Sequence, residues 1–402
     1  MAEPTPSGSG RCDRPLRILV ALTYYRPYIS GLTIYAERLA RALVRRGHAV
    51  TVLAMRHDPS LPADEVVDGV RIVRAPVLAR LGKGLVAPAF TARAAGLLRS
   101  ADLLHLHLPQ FDAAAVALIG HAQRVPIVVT YQCDLSLPQG AFNRTMEATL
   151  RVLDRVAGSL ADRVVTNTQD YSDHSPYLRR FRTKLEIIAP PVELAPVDAA
   201  MIQRFRAQRL PQGKAPIIAM VARLSAEKGV EALLDALPRI LATHPGACIV
   251  FAGPYRSVPG EGAYFERLRP RIDALVATGH WRFLDVLDDE AIAALYASID
   301  VLVVPSVNST ESFGLVQIEA MMHGVPCVAS DLPGIRHAVQ TTGLGALFPA
   351  GDAAALARAV CEVLQRDRGR GAARPDIAAR YDPLRTAERY EALFHSVLAT
   401  RS

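Results

Sequence analysis

Two α/β lobes, each wound around a parallel sheet, are what the sequence predicts, on three observations. The chain has 402 residues, more than one hydrophobic core usually organises. Short apolar runs of strand length alternate with amphipathic helical stretches from Leu16 onward, the pattern that builds βαβ units. The pattern then restarts: after Pro190-Pro191 and a polar stretch to about Ala215, PIIAMVARL opens a second unit much like LRILVAL opens the first. The expected division is a flexible tail over 1–15, a first lobe over 16–192 and a connection over 193–215. A second lobe follows over 216–375, and a closing helical segment over 376–402.

In the first lobe, Leu16 to Leu22 is a buried strand. An amphipathic helix from about Thr33 to Arg46 stops at Gly47, since glycine tolerates the positive φ of a helix end. AVTVLAM is the next strand. This opening unit lacks GxGxxG, so the dinucleotide fingerprint is absent. Gly31 precedes the helix and reads equally as a turn glycine or as a ligand-facing loop. Arg38, Arg41, Arg45 and Arg46 fall mostly on the polar side of the helix. A solvated face is the expectation, with contact to a membrane surface as the alternative. VRIVRAP is a strand; VLARLGKGLVAPAFTARAAGLLRS, apolar and basic without acids, reads as a covering helix or as a segment touching a lipid acceptor. LLHLH, PIVVTY and ADRVVTNT are further parallel strands. Their carboxyl ends carry His105, His107, Gln132, Asp134, Asn167 and Thr168, on the side of a parallel sheet where ligands bind.

In the second lobe, Arg223 and Lys228 stand in the loop after PIIAMVARL and before a helix. Two cations there can clamp a diphosphate and stabilise it as it leaves; a surface pair with Glu227 or Glu231 is the plainer reading. CIVFAG is a strand, WRFLDVLDDEAIAALYASID a strand and short helix, and VLVVPSVNSTESFGLVQIEAMMHGVPCVAS a strand, polar loop, helix and strand. That helix is predicted from about Phe313 to His323, stopped by Gly324 and Pro326. Two acids sit in this unit with seven residues between them, Glu311 in the loop and Glu319 in the helix, and Gly314 lies at the helix start. Free N–H groups at a helix N-terminus favour an anion. Glu319 shares its face with Leu315, Val316 and Met322, so its carboxylate needs a partner. GALFP, DAAALARAVCEVLQ and YDPLRTAERYEALFHSVL complete the chain.

ESFGLVQIEAMMHGVPCVAS resembles the E-x7-E signature of retaining, nucleotide-sugar-dependent glycosyltransferases of the GT-B fold, in particular glycosyltransferase family 4, and the likeness extends with gaps over about 16 to 400. It implies two Rossmann-like domains facing each other across a cleft, with the closing helix crossing back onto the first. It implies that Glu311 lies by the donor sugar and that Glu319 binds the nucleotide ribose. The backbone of Phe313, Gly314 and Leu315 would face the sugar and diphosphate, and the Arg223 and Lys228 pair would hold the diphosphate. YISGLTIYAERL resembles the family's N-terminal loop, with Ser30 replacing the first glycine of a pair and Gly31 the second. TYQCDLSLP resembles a segment with histidine where Gln132 stands and an acid at Asp134, both on the sugar or acceptor side. Gln132 can hydrogen-bond but not titrate near neutrality, so its role is binding only. The base would meet the backbone of about Leu284 to Leu287, including Val286; Asp285 stands where relatives often have glycine.

The implied reaction moves a hexose from a UDP- or GDP-sugar to a hydroxyl acceptor, a glycolipid or polysaccharide precursor, with retention and without a metal. No DxD motif stands beside the proposed site, and no cofactor beyond the nucleotide-sugar co-substrate is expected. An epimerase of the same fold and a non-catalytic nucleotide-sugar sensor stay open as alternatives. Five scattered cysteines, odd in number and without CxxC, point to a reducing compartment and away from a zinc site. No run reaches the ~18 apolar residues of a membrane span, and the polar N-terminus lacks the apolar core of a signal peptide. The expectation is a cytoplasmic enzyme, with peripheral contact at the inner membrane face if the acceptor is lipid-linked. The formal charge of +7 suits an anionic partner, while the lack of any nucleic-acid-binding motif argues against nucleic acid.

Overall fold

The computed structural model describes residues 14–81, 84–136, 140–256, 258–367 and 372–401. Most of the expected tail, with Cys12, lies outside the described residues. The first sheet has eight strands, in spatial order Leu185–Ile187, Arg163–Thr166, Ile127–Tyr131, Leu103–Leu108, Arg17–Ala21, Ala49–Arg56, Val70–Pro76 and Asp64–Val67. All neighbours run parallel except the last pair. That antiparallel edge turns at Asp68-Gly69, both at positive φ (50° and 78°), the backbone a two-residue hairpin needs. The second sheet has six strands, in order Trp281–Phe283, Cys248–Ala252, Ile217–Val221, Val301–Val304, Cys327–Ser330 and Gly345–Phe348, all parallel.

Each sheet has a point where the strand order reverses direction, and there the loops diverge to leave a crevice. In the first it lies between Arg17–Ala21 and Leu103–Leu108; in the second, between Ile217–Val221 and Val301–Val304. The loops after the second pair carry Arg223 with Lys228, and Glu311. The residues proposed from sequence to hold a ligand thus flank one topological switch point.

The opening helix runs Gly31–Arg45. It starts at Ser30 because Ser30 Oγ accepts from the Thr33 N–H (3.2 Å) while Thr33 Oγ1 accepts from the Ser30 N–H (2.8 Å), a reciprocal capping box. Its apolar face, with Tyr35, Leu39 and Leu43, joins Ile18, Val20 and Val52 in a core that also contains Tyr390, Phe394 and Val397. Those last three come from the closing helix Pro383–Ala399, which lies on the first lobe. Tyr35 and Tyr390 hydroxyls meet at 2.7 Å, 355 positions apart in the chain. The preceding helix Pro375–Arg380 still belongs to the second lobe, where Ile377 and Tyr381 are core residues. The chain crosses between the lobes at Asp382. The 193–215 stretch carries a helix of its own, Ala199–Arg209, begun by the Asp198 cap and holding Phe205 in the second lobe's core.

The solvated face expected of the opening helix is instead ion-paired, because acids from four other segments flank this helix. Arg41 reaches Glu37 (3.9 Å), Asp68 (3.4 Å) and Glu193 (3.6 Å), and Arg45 reaches Glu193 (3.5 Å). Arg46 pairs with Glu391 of the closing helix, and Arg38 with Glu319 of the second lobe at 2.8 Å. Only Arg41 and Arg45 keep substantial exposure. The apolar, basic 77–100 segment is a short hairpin (Ala79–Leu81 with Gly84–Val86) and a helix, Ala89–Leu98, whose Phe90, Ala94 and Leu98 enter the first core. Cys133, Cys248, Cys327 and Cys361 are free thiols. Among the described residues no helix is long and apolar enough to cross a membrane.

Candidate active site

The crevice of the second sheet is floored by a helix that starts abruptly. Leu315–Met322 begins after Gly314, held at φ +73°, and has no side-chain cap. A Cβ at Gly314 would meet Gln317 Nε2 at 2.7 Å, where the Gln317 amide is engaged with the Phe313 carbonyl (3.1 Å) and the Ile335 carbonyl (3.0 Å). The glycine therefore lets a locked glutamine pack beneath the helix start, leaving first-turn N–H groups without intrahelical acceptors. Phe313 is buried beside Tyr381 (ring centroids 5.8 Å), so only its backbone is available to a ligand.

Lys228 and Glu311 meet here: Nζ contacts Oε2, with each side chain about one-fifth exposed (22% and 21%). Lys228 is placed by a 3-10 turn, Ala226–Lys228, that ends at Gly229 in the left-handed region. A Cβ on Gly229 would lie 1.8 Å from the Pro305 carbonyl oxygen, so the cation loop and the acid loop touch through a position only glycine can occupy. The space walled by Lys228, Glu311, Val221 and Ser306 is about 20 Å³, room for about one water. Arg223 lies at the rim, its Nη1 3.4 Å from the Tyr28 hydroxyl of the first lobe and its Nη2 3.7 Å from Glu227.

Glu319 is 6% exposed, and both its oxygens are engaged. Arg38 donates to Oε1 and the Tyr296 hydroxyl to Oε2, each at 2.8 Å. The partner that the apolar face of Glu319 demanded is thus an arginine from the other lobe. Neither Arg38 nor Tyr296 was legible as a site residue. Val286 is half exposed on the turn after Trp281–Phe283. Asp285 beside it has φ +55°, a backbone glycine adopts at lower cost, and its carbonyl accepts from the Gly253 N–H (2.8 Å).

Across the cleft, Ser312 Oγ donates to the Gln132 carbonyl, putting the acid loop against the first lobe. The Gln132 side chain faces inward: its Nε2 donates to His107 Nδ1 (3.3 Å). Burial pushes the His107 imidazole down to about 3, so it is neutral and carries its proton on Nε2. Asp134 is held by three hydroxyls, Tyr131 (2.9 Å), Ser175 (2.9 Å) and Tyr171 (3.1 Å). Burial first, then the charge of Glu311, push the intervening Cys133 thiol up to about 12, which makes it a poor nucleophile. Ser30 serves as the helix cap. A Cβ at Gly31 would meet nothing within 4 Å, so packing does not require glycine there. His105 is buried and pairs with Thr130 at 2.7 Å. A further clasp joins the lobes: the Asp170 carboxylate accepts from the Gly334 N–H (2.7 Å) and from Arg336 Nη2 (2.7 Å) and Nε (3.0 Å).

The structure thus brings Lys228 against Glu311 in the loop before the helix that starts at Gly314 and carries Glu319, with Arg223 at the rim and the Gln132 carbonyl meeting the same loop through Ser312. Among the described residues no group of three or more His, Cys, Asp or Glu could hold a metal ion.

Comparison with known proteins agrees with this geometry. Residues 30–191 match the glycosyl transferase 4-like domain and residues 201–379 match the glycosyl transferases group 1 family. The chain is 29% identical over 376 residues to a phosphatidyl-myo-inositol mannosyltransferase of Mycobacterium leprae, covering 91% of this chain and 93% of that protein. It is 30% identical over 410 residues to a GDP-mannose-dependent alpha-mannosyltransferase of Mycolicibacterium smegmatis, covering 96% and 99%. Among solved structures, sucrose-phosphate synthase from Thermosynechococcus elongatus superposes with a TM-score of 0.74 at 23% identity, covering 96% of this chain and all of that one. Two parallel-sheet lobes, a site on their facing edges and relatives that match along nearly the whole chain place this protein in the glycosyl transferases group 1, glycosyltransferase family 4, as a glycosyltransferase of the GT-B fold.

Proposed function

We propose that the enzyme moves a hexose from a UDP- or GDP-sugar to a hydroxyl of a glycolipid or polysaccharide-precursor acceptor, with retention and without a metal. The observation that carries this reading is the Lys228–Glu311 contact at the switch point of the second sheet, directly before the bare helix start at Gly314. The two mannosyltransferase relatives support it, one named for GDP-mannose and one for a phosphatidyl-inositol.

The steps follow from the charges. The donor diphosphate draws Lys228 away from Glu311 and lies between Lys228, Arg223 and the helix N-terminus, which supply the charge stabilisation a metal otherwise gives. The nucleotide ribose takes the oxygen of Glu319 that Arg38 occupies, while the backbone around Val286 meets the base. Phe313, Gly314 and Leu315 present backbone N–H groups to the sugar and diphosphate. Glu311, released from Lys228, orients the sugar and stabilises cationic character at its anomeric carbon. Gln132, Asp134 and the Ser30-Gly31 loop bound the acceptor side. The anomeric carbon–phosphate oxygen bond breaks, the acceptor oxygen bonds to the same face, and its proton passes to the leaving diphosphate. No protein base is needed, in keeping with a His107 imidazole that burial makes a weak base and a Gln132 that does not titrate near neutrality.

Screening UDP- and GDP-sugars by thermal shift identifies the donor, because a ligand of the folded state raises apparent stability by mass action. Turnover with acceptor panels then releases free UDP or GDP only when acceptor is present, with unchanged anomeric configuration by NMR and full rate in EDTA. A new nucleotide-sugar formed without acceptor overturns transfer in favour of epimerisation, and binding without turnover favours a sensor.

A further inference from the structure

An apolar hollow of the cleft lies not at the donor site but at the switch point of the first sheet. It measures about 320 Å³ and is bounded by the loops that follow Arg17–Ala21 and Leu103–Leu108. Leu32, Met55, Leu85, Leu135, Met146 and Leu150 wall it, and Gly260 and Glu261 of the second lobe form its far rim. Its size matches small-molecule pockets, which are mostly apolar with a few converging polar groups. Its polar lining includes Thr23, Ser30, Asp112 and Asn143, and two deeply buried members, His107 and Gln110. Gln110 is 2% exposed, and neither its amide nitrogen nor its amide oxygen has a partner among the described residues; the same holds for His107 Nε2. The Gln110 main chain is fixed, its N–H donating to Asp154 Oδ1 at 3.3 Å. A buried donor or acceptor left without a partner is unfavourable, so three such atoms on two residues that line one apolar hollow mark a place for a ligand that satisfies them.

We infer that the acceptor, on the transferase reading above, is an amphiphile. Its apolar arm fills this hollow, and its hydroxylated head meets the Gln110 amide and the His107 Nε2–H. A polysaccharide chain fits less well, because along the apolar part of the wall its hydroxyls would face six aliphatic or thioether side chains that offer no hydrogen bond.

The test uses the full chain and the environment-sensitive fluorophore N-phenyl-1-naphthylamine. It binds saturably at one site and is displaced by decyl β-maltoside below its micellar concentration, with methyl glycosides at least tenfold weaker. Met146→Asp weakens the fluorophore at least tenfold, while the thermal shift given by UDP or GDP is unchanged. Gln110→Leu leaves the fluorophore in place and weakens the maltoside. Equal competition by methyl and decyl glycosides overturns the inference, as does undiminished fluorophore binding by folded Met146→Asp. If that variant fails to fold, the wild-type competition decides alone. Absence of any nucleotide shift in the wild type instead refutes the donor reading and leaves the amphiphile pocket to stand or fall on the competition.

Discussion

Replacing Arg38 by methionine should move stability and nucleotide affinity in opposite directions. The Arg38–Glu319 pair is 2.8 Å long, with side-chain exposures of 13% and 8%. Removing one partner of a buried pair costs about 3–5 kcal/mol, because the other charge stays buried without compensation. Glu319 keeps the Tyr296 hydrogen bond and some exposure, so the low end applies, about 3 kcal/mol. For a lobe of 150–250 residues each kcal/mol shifts the melting temperature by about 2–4 °C, giving a fall of roughly 6–12 °C. On the proposed mechanism the ribose displaces the same guanidinium, whose charged hydrogen bond is worth about 1.5–3 kcal/mol. The variant no longer bears that cost and should bind UDP or GDP about 10- to 100-fold more tightly, since 1.4 kcal/mol is a factor of ten. Differential scanning fluorimetry gives the first quantity and calorimetric titration the second. A melting temperature within 2 °C of wild type would show the pair to be a weak surface contact, and tenfold weaker nucleotide binding would show that Arg38 belongs to the liganded state.

Four further outcomes follow from other parts of the molecule. Lys228→Ala should cut kcat at saturating donor by about 10²–10³, the usual loss for one charge-stabilising donor; full turnover would remove the cation clamp from the mechanism. Gly229→Ala forces a positive φ and a 1.8 Å approach to the Pro305 carbonyl, so urea titration should show a loss above about 2 kcal/mol. Gly31→Ala, with open space around its Cβ, should be neutral or up to about 1 kcal/mol more stable. Burial pushes the Asp154 carboxyl up to about 7. The folded state thus holds a proton that the unfolded chain releases near pH 3.9, so this contribution is complete below pH 4 and is lost as pH rises to about 7. Asp154→Asn should match wild type near pH 4.5, then gain up to roughly 4 kcal/mol by pH 8 at 1.36 kcal/mol per unit; equal melting differences at both pH values would refute it.

Local signals carried much of this site into the sequence. Glu311, Gly314 and Glu319 belong to one strand-loop-helix unit, so their spacing alone implies a shared crevice. Arg223 and Lys228 stand out because a parallel strand must be followed by a loop at its ligand-binding end. What stayed hidden depends on distant partners. Arg38 reads as one more arginine on a polar helix face until Glu319, 281 positions away, is brought against it. The same holds for the Asp170–Arg336 clasp across 166 positions, and for Gln110, an ordinary polar loop residue whose meaning comes from burial beside an apolar hollow. Asp285 was marked as a departure from glycine, but its positive φ shows only in the backbone. The Asp68-Gly69 hairpin was readable from its two turn residues and went unread because the flanking Asp64–Val67 strand is mostly exposed and polar-rich.

The closing helix sets the order in which the molecule can be completed. Leu16, Ile18, Val20 and Tyr35 leave the ribosome early, yet Tyr390, Phe394 and Val397, which cover them, are translated only after the whole second lobe. During synthesis the amino-terminal half therefore waits with one side of its sheet roofed by the opening helix alone, and an excised 16–192 fragment would carry the remaining greasy face into solution. Supplying Pro383–Ala399 as a separate peptide should restore its solubility.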